Sequence, residues 1–201
     1  EVLEYMRKRL EIYRNLLSEN QVFVDRTKNI GIIEKDDIME YDITGPNARG
    51  SGVNMDIRKD HPYEAYGEIN FKIQLQNAGD ALSRTIVRIN EIEESLNIIE
   101  TAIQDLPEGP IRATTTGDGK RLTPFSRMPK GEAIHFVESA RGELMFHVVS
   151  KGENKPYRVK IRGPTFGPIL VYLPKILKGA YIADMPVIYW SLDNCPADHD
   201  R

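Results

Sequence analysis

The last eleven residues, SLDNCPADHDR, hold the densest set of reactive side chains in the chain, with Cys195, Asp198 and His199 inside five positions. A thiolate three residues from a carboxylate could share a metal ion, with the imidazole as a further ligand. Three ligands from one tight turn still need partners from elsewhere. The competing reading is a solvated acidic terminus with a chance cysteine, and spacing alone leaves both open. Arg141, in ESARGELMFH, is the second candidate. An arginine at a hairpin tip is usually a surface residue, but a guanidinium held over a reacting centre would supply fixed positive charge.

Other segments carry less. Gly45 to Gly52 (GPNARGSG) has the outline of a phosphate loop, but Ser51 stands where the lysine should follow. Nor is Ser51 a nucleophile elbow, because Arg49 and not glycine lies two positions before it. Three glycines and a proline in eight residues predict an irregular backbone there. Asp56, Arg58, Lys59, Asp60 and His61 follow as a polar cluster. His61 and His135 have no ligand-spaced partner, so solvent or structural roles suit both.

The elements that must position these residues can be read from hydrophobic periodicity. Val2, Met6, Leu10, Tyr13 and Leu17 step by three and four and predict a helix over 2–17. Residues 22–33 read as an extended connection and 35–41 as a short helix. A long helical pattern runs from Leu75 to Leu106 and stops at Pro107, with a length of roughly 50 Å at 1.5 Å per residue. Residues 107–131, with four prolines and four glycines, read as a long loop. From Ala133 the period changes to two, through Ile134 and Phe136, then Leu144, Phe146 and Val148, then Tyr157, Val159 and Ile161. Turns at Arg141-Gly142 and Lys151-Gly152 make this a small antiparallel sheet. Residues 169–178 suit a short helix, and the apolar run 183–190 leads into the terminal motif. The expected fold is α+β and mainly helical: 1–106 helical with the 45–67 motif loop, a loop over 107–132, and sheet plus terminal motif over 133–201.

Composition narrows the function. The 201 residues carry 27 Lys and Arg against 30 Asp and Glu, a net charge of −3, which argues against nucleic-acid binding. A single cysteine rules out an internal disulfide. The longest charge-free run, between Arg162 and Lys175, contains three prolines and is well short of the roughly 20 residues of a membrane span. The chain begins at Glu1 directly in a helical pattern and reads as part of something longer.

Three long segments occur together in a recognisable order: ITGPNARGSGVNMDIRKDHPYEAYGEI, then GDALSRTIVRINEIEESLNIIETAI ending in LPEGP, then PYRVKIRGPTF. In them the chain resembles the C-terminal half of the large subunit shared by respiratory complex I (the D subunit of NADH–quinone oxidoreductase) and membrane-bound, energy-converting nickel–iron hydrogenases. The resemblance covers nearly the whole chain and implies that roughly the N-terminal half of the subunit is missing. It also implies a hydrogenase large-subunit-like helical bundle, which takes electrons from an iron–sulfur cluster in a neighbouring small subunit. Hydrogenases pass them to nickel–iron held by two C-x-x-C motifs. Complex I uses the equivalent cavity for a quinone headgroup, and related archaeal complexes reduce sulfane sulfur.

The terminal motif places the chain among these branches. The hydrogenase pattern ends D-P-C-x-x-C-x-x-R, or with His last, and here Cys195 keeps the first cysteine, Asp198 replaces the second and Arg201 matches the end. ESARGE is similar to the hydrogenase P-R-G segment, where complex I usually carries lysine. The chain is thus similar to a branch with a degraded nickel–iron site, such as the archaeal sulfane reductase type, because a hard carboxylate at a bridging position weakens nickel binding. On this resemblance Arg141, Cys195, Asp198 and Arg201 are the expected catalytic residues, with Cys195 and Asp198 as ligands only if a metal persists. Arg49, Asp56, Arg58 and Asp193 are expected to brace the cavity. No nickel–iron centre, NADH or flavin is expected on this chain. Expected partners are the small iron–sulfur subunit, the missing N-terminal half, membrane-arm subunits and a quinone or sulfur acceptor. The expected place is peripheral, on the cytoplasmic side of the cell membrane, and the isolated piece is expected to be inactive.

Overall fold

The computed structural model describes residues 1–109, 123 and 125–199. Most of the loop expected over 107–132, together with Asp200 and Arg201, lies outside these residues. The helix α1 spans Val2–Leu16 as its periodicity predicts and buries Leu10 against the long helix α6 (Ala81–Gln104). Arg14 and Arg7 on α1 pair with Glu93 and Glu100 on α6 at 2.6 and 2.8 Å. These exposed bridges set the pairing of the two helices more than they stabilise it.

Three expectations about the helical half need correction. The extended connection at 22–33 begins instead with helix α2 (Gln21–Thr27). Asn20 starts it, its side chain accepting hydrogen bonds from the backbone N–H groups of Val22 and Phe23 and outweighing the β-branched residues that follow. After α3 (Lys35–Glu40), the irregular backbone expected at 45–52 opens with one helical turn, α4 (Gly45–Arg49), because Pro46 sits where its missing N–H costs nothing. The long helix starts at Ala81, not near Leu75, which shortens it to about 36 Å. Gly79 has φ +68° and Asp80 caps the helix by accepting from Ser83 N–H at 2.8 Å. Residues 76–79 form a bent connection instead, in which the Gln76 and Gly79 N–H groups donate to the Arg49 and Gly50 carbonyls.

α6 is the spine, and α1, α2, α4 and α8 (Met185–Ser191) pack along it. A core of Ile33, Ile38, Ile43, Ala48, Ile169, Tyr172 and Leu192 lies beside it and joins the first helices to the C-terminal segment. The sheet is as the alternation predicts: β1 (Gly131–Ser139), β2 (Gly142–Ser150) and β3 (Arg158–Arg162), antiparallel in that order. Ser139 pairs with Gly142, so Ala140 and Arg141 form a two-residue hairpin tip. Residues 167–176 are helical, as a wide turn of Gly167–Tyr172 running into α7 (Leu173–Ile176). No helix among the described residues is long and apolar enough to cross a membrane.

Candidate functional site

The hairpin tip meets the C-terminal motif. Gly45 and Gly142 touch backbone to backbone; a Cβ added at Gly45, whose φ is +67°, would lie 2.3 Å from the Gly142 Cα. Thr44 Oγ1 accepts from Glu143 N–H at 3.2 Å and pins the same approach. The hairpin can therefore sit flush on α4, which brings Arg141 to Asp193, fifty-two residues away in the chain. Arg141 Nε donates to the Asp193 carbonyl at 3.2 Å and lies 3.4 Å from its carboxylate. Arg88, on α6, approaches the other carboxylate oxygen at 3.8 Å. Asp193 has a φ of +56°, an uncommon conformation that turns the chain sharply at the entrance to the motif.

Charge is out of balance around Asp193. Arg88 also donates to Asn47 Oδ1 at 3.1 Å and to the Arg84 carbonyl at 3.2 Å, yet its Nε has no hydrogen-bond partner. The other unsatisfied buried side-chain atom among the described residues is Asn194 Oδ1, in the terminal motif. Burial and the charges of Arg141 and Arg49 hold the Arg88 guanidinium below its ordinary value, although Asp193 and Glu91 oppose this. One turn earlier Arg84 is fully buried with no carboxylate contact, bonded to Ser191 Oγ at 2.6 Å and the Gly79 carbonyl at 2.6 Å. Burial, then the charge of Arg88, pulls it down to about 9. A groove of about 310 Å³ between α1, α6 and α8, lined by Tyr13, Arg88, Trp190 and Asp193 among others, opens over this positive region.

Beside it lies a second, closed network. Arg49 is 1% exposed and spends its whole fork: Nε on Glu91 at 2.5 Å, Nη2 on Glu138 at 2.8 Å, and Nη1 on the Met55 carbonyl at 3.1 Å and Asp56 at 3.4 Å. Asp56 also caps α5 (Ile57–Asp60) and receives Arg58 in a two-toothed contact of 2.9 and 2.6 Å. Arg58 in turn stacks on Phe71 at 4.9 Å. Burial works against Asp56's charge, but the hydrogen bonds and charges of Arg58 and Arg49 hold its carboxyl below the ordinary value. For Glu91 and Glu138 burial prevails and both carboxyls are raised.

The predicted site residues thus divide into groups. Arg49, Asp56 and Arg58 form one network, while Asp193 belongs with Arg141 and Arg88. Cys195 is partly exposed. Asp198 and His199 turn to a different neighbour, buried Thr165, whose hydroxyl donates to Asp198 Oδ2 at 3.1 Å and lies 3.3 Å from His199 Nε2. Asp198 also packs against Gly163, where a Cβ would come within 2.4 Å of its own. No group of three His, Cys, Asp or Glu side chains among the described residues could hold a metal ion. Arg201 lies outside the described residues. Sequence reasoning missed Arg84, Arg88, Glu91 and Glu138. Their signal was present, since 84, 88 and 91 step by four and three along one face of the long helix, and Glu138 lies three before Arg141.

Residues 1–201 match the family model of the respiratory-chain NADH dehydrogenase 49 kDa subunit. This chain belongs to that family. The D subunit of F(420)H(2) dehydrogenase from Methanosarcina mazei is 40% identical over 200 residues, covering 100% of this chain and 53% of that protein. The D subunit of NADH-quinone oxidoreductase from Bacillus cereus is 41% identical over 96% of this chain and 51% of its own length. A chain from the solved membrane-bound sulfane sulfur reductase, an archaeal respiratory membrane complex, superposes with a TM-score of 0.87 at 41% identity. That superposition covers 99% of this chain and 53% of the other. The chain therefore spans about half the length of the relatives it matches, and its fold is that of the 49 kDa-type subunit.

Proposed function

We propose that the chain forms part of the acceptor-site subunit of a complex I-like, ion-translocating membrane oxidoreductase. In this reading it receives electrons from an iron–sulfur cluster in a partner subunit and delivers them to a quinone or sulfur acceptor on the cytoplasmic side of the membrane. The observation that carries it is the meeting of Arg141 with Asp193, two residues before Cys195, with Arg88 on the same carboxylate. Two guanidiniums share one carboxylate there, so positive charge remains to stabilise an acceptor that becomes negative on reduction. Names of relatives support both acceptors: quinone stands in that of the Bacillus protein and sulfane sulfur in that of the archaeal complex.

A nickel–iron pair does not suit these donors. Cys195 is the one thiol in the chain, and the carboxylate that replaces the second cysteine is already engaged by Thr165. No step is assigned to a metal on this chain, and NADH or flavin sites belong to other subunits of such an assembly. The deciding experiment is Arg141→Gln in the full complex. A loss of about 100-fold or more in turnover is expected, with assembly unchanged by native gel. Full turnover in an assembled complex would assign the chain to a scaffold role instead. Nickel near one equivalent in the intact subunit would restore the hydrogenase alternative.

A further inference from the structure

The closed network has one carboxylate too many. Glu91, Asp56 and Glu138 come from α6, the turn before α5 and β1, and converge on Arg49, with Arg58 the second cation in contact. Two guanidiniums against three carboxylates leave an excess of one negative charge in a site where Arg49, Asp56 and Glu138 side chains are 1%, 1% and 6% exposed. An uncompensated buried charge costs several kcal/mol, and a carboxylate in that position takes up a proton instead.

Among the described residues no other cation forms an ion pair with these three carboxylates. Tyr63 faces Glu138, its hydroxyl accepting from the Glu138 backbone N–H at 3.0 Å, and Tyr66 lies against Arg58; neither brings positive charge. Asp60 accepts from the Asp56 backbone N–H and adds a further negative group. Arg88 is the next cation on α6, one turn before Glu91; it attracts Glu91 through space, but the carboxylate it pairs with is Asp193. Asp56 is the least suited of the three acids to hold a proton, because Arg58 grips both its oxygens. Glu91 and Glu138 each take one tooth of the Arg49 fork and retain an oxygen outside that contact.

We infer that this network is a proton-binding site that holds one exchangeable proton at neutral pH, shared between Glu91 and Glu138. The burial that raises both carboxyls acts in the same direction. The Glu91 side chain, 18% exposed, is the point of exchange with water. The step is acid–base alone: the carboxylic acid gives its proton to water and becomes carboxylate, and no electron moves. Resting on the acceptor-site reading above, the site has a use: its proton occupancy compensates charge arriving at Arg141, three residues from Glu138 on the same hairpin.

Infrared spectroscopy of the full-length subunit in its complex tests this. A protonated-carboxyl C=O band at neutral pH is expected, shifting in D2O, fading at alkaline pH, and lost in both Glu91→Gln and Glu138→Gln. Absence of the band in the wild-type complex, or its persistence in both variants, would overturn the proposal. If the variants fail to assemble, the wild-type pH and D2O titration decides alone. The outcome is independent of Arg141→Gln. A band with unimpaired Arg141→Gln turnover would keep the proton site and reject the acceptor reading, and the reverse pair would do the opposite.

Discussion

Two clusters of arginine lie side by side against α6 and are built on opposite terms. Every guanidinium nitrogen of Arg49 has an acceptor, and carboxylates outnumber arginines in its network. Around Asp193, Arg88 and Arg141 share one carboxylate, Arg84 has none in contact, and Arg88 Nε and Asn194 Oδ1 are unsatisfied. The first arrangement joins α4, α5, α6 and β1 at one point and leaves no nitrogen of the Arg49 fork free for a ligand. The second has positive charge and hydrogen-bonding capacity to spare, and it lies under a groove. Arginines with every nitrogen engaged brace, and arginines with capacity to spare are open to an anion.

Substitution of the two arginines should break the comparison if it is mistaken. Arg49→Met leaves Glu91 and Glu138 without their cation and should cost about 3–5 kcal/mol, read as a drop in urea midpoint. Arg88→Met should cost far less, since it relieves a crowded set of positive charges, and should instead impair turnover. Equal destabilisation by both would show that the clusters serve the same role. Next in size, Asp80→Ala removes the cap of α6 and the acceptor of Asn29 N–H, 2.8 Å away. A loss of about 1–2 kcal/mol is expected, with hydrogen exchange rising first at the start of α6, where Arg84 and Arg88 are set.

The smallest effect concerns a carboxylate outside both clusters. Burial acts against Asp37's charge, but Lys175 at 2.6 Å and the Tyr172 hydroxyl at 2.8 Å hold its carboxyl below the ordinary value. A depressed carboxyl binds fewer protons folded than unfolded, so its contribution is complete above the unfolded value of about 3.9 and is lost as pH falls through the folded one. Asp37→Asn should therefore flatten the acid limb of a Tm–pH profile and leave its slope above pH 5 (about one unit past that value) unchanged. A steeper acid limb in the variant would contradict this.

Much of the fold was legible in the chain. The period of three to four over α1 and α6, and the period of two over β1 to β3, follow from which faces must be buried. The misread ends were decided by single side chains: Asn20 starting α2, Pro46 admitting a turn at α4, Asp80 and Gly79 delaying α6. A cap is a hydrogen bond between one side chain and its neighbours, and a hydrophobic pattern does not register it. The ESARGE segment marked Arg141, and the terminal motif Asp193, Cys195 and Asp198, through resemblance, but not which of them meet.

By itself, then, the sequence determined the elements, the family and the one-cysteine donor set of this protein, because periodicity and residue identity are local properties. Only the tertiary structure decided that Arg141 meets Asp193, that Asp198 turns to Thr165, and that Glu91 and Glu138 converge on Arg49 from segments far apart in the chain. Charge balance in a buried site depends on which groups share a low-dielectric space, and that is set by packing and not by order along the backbone.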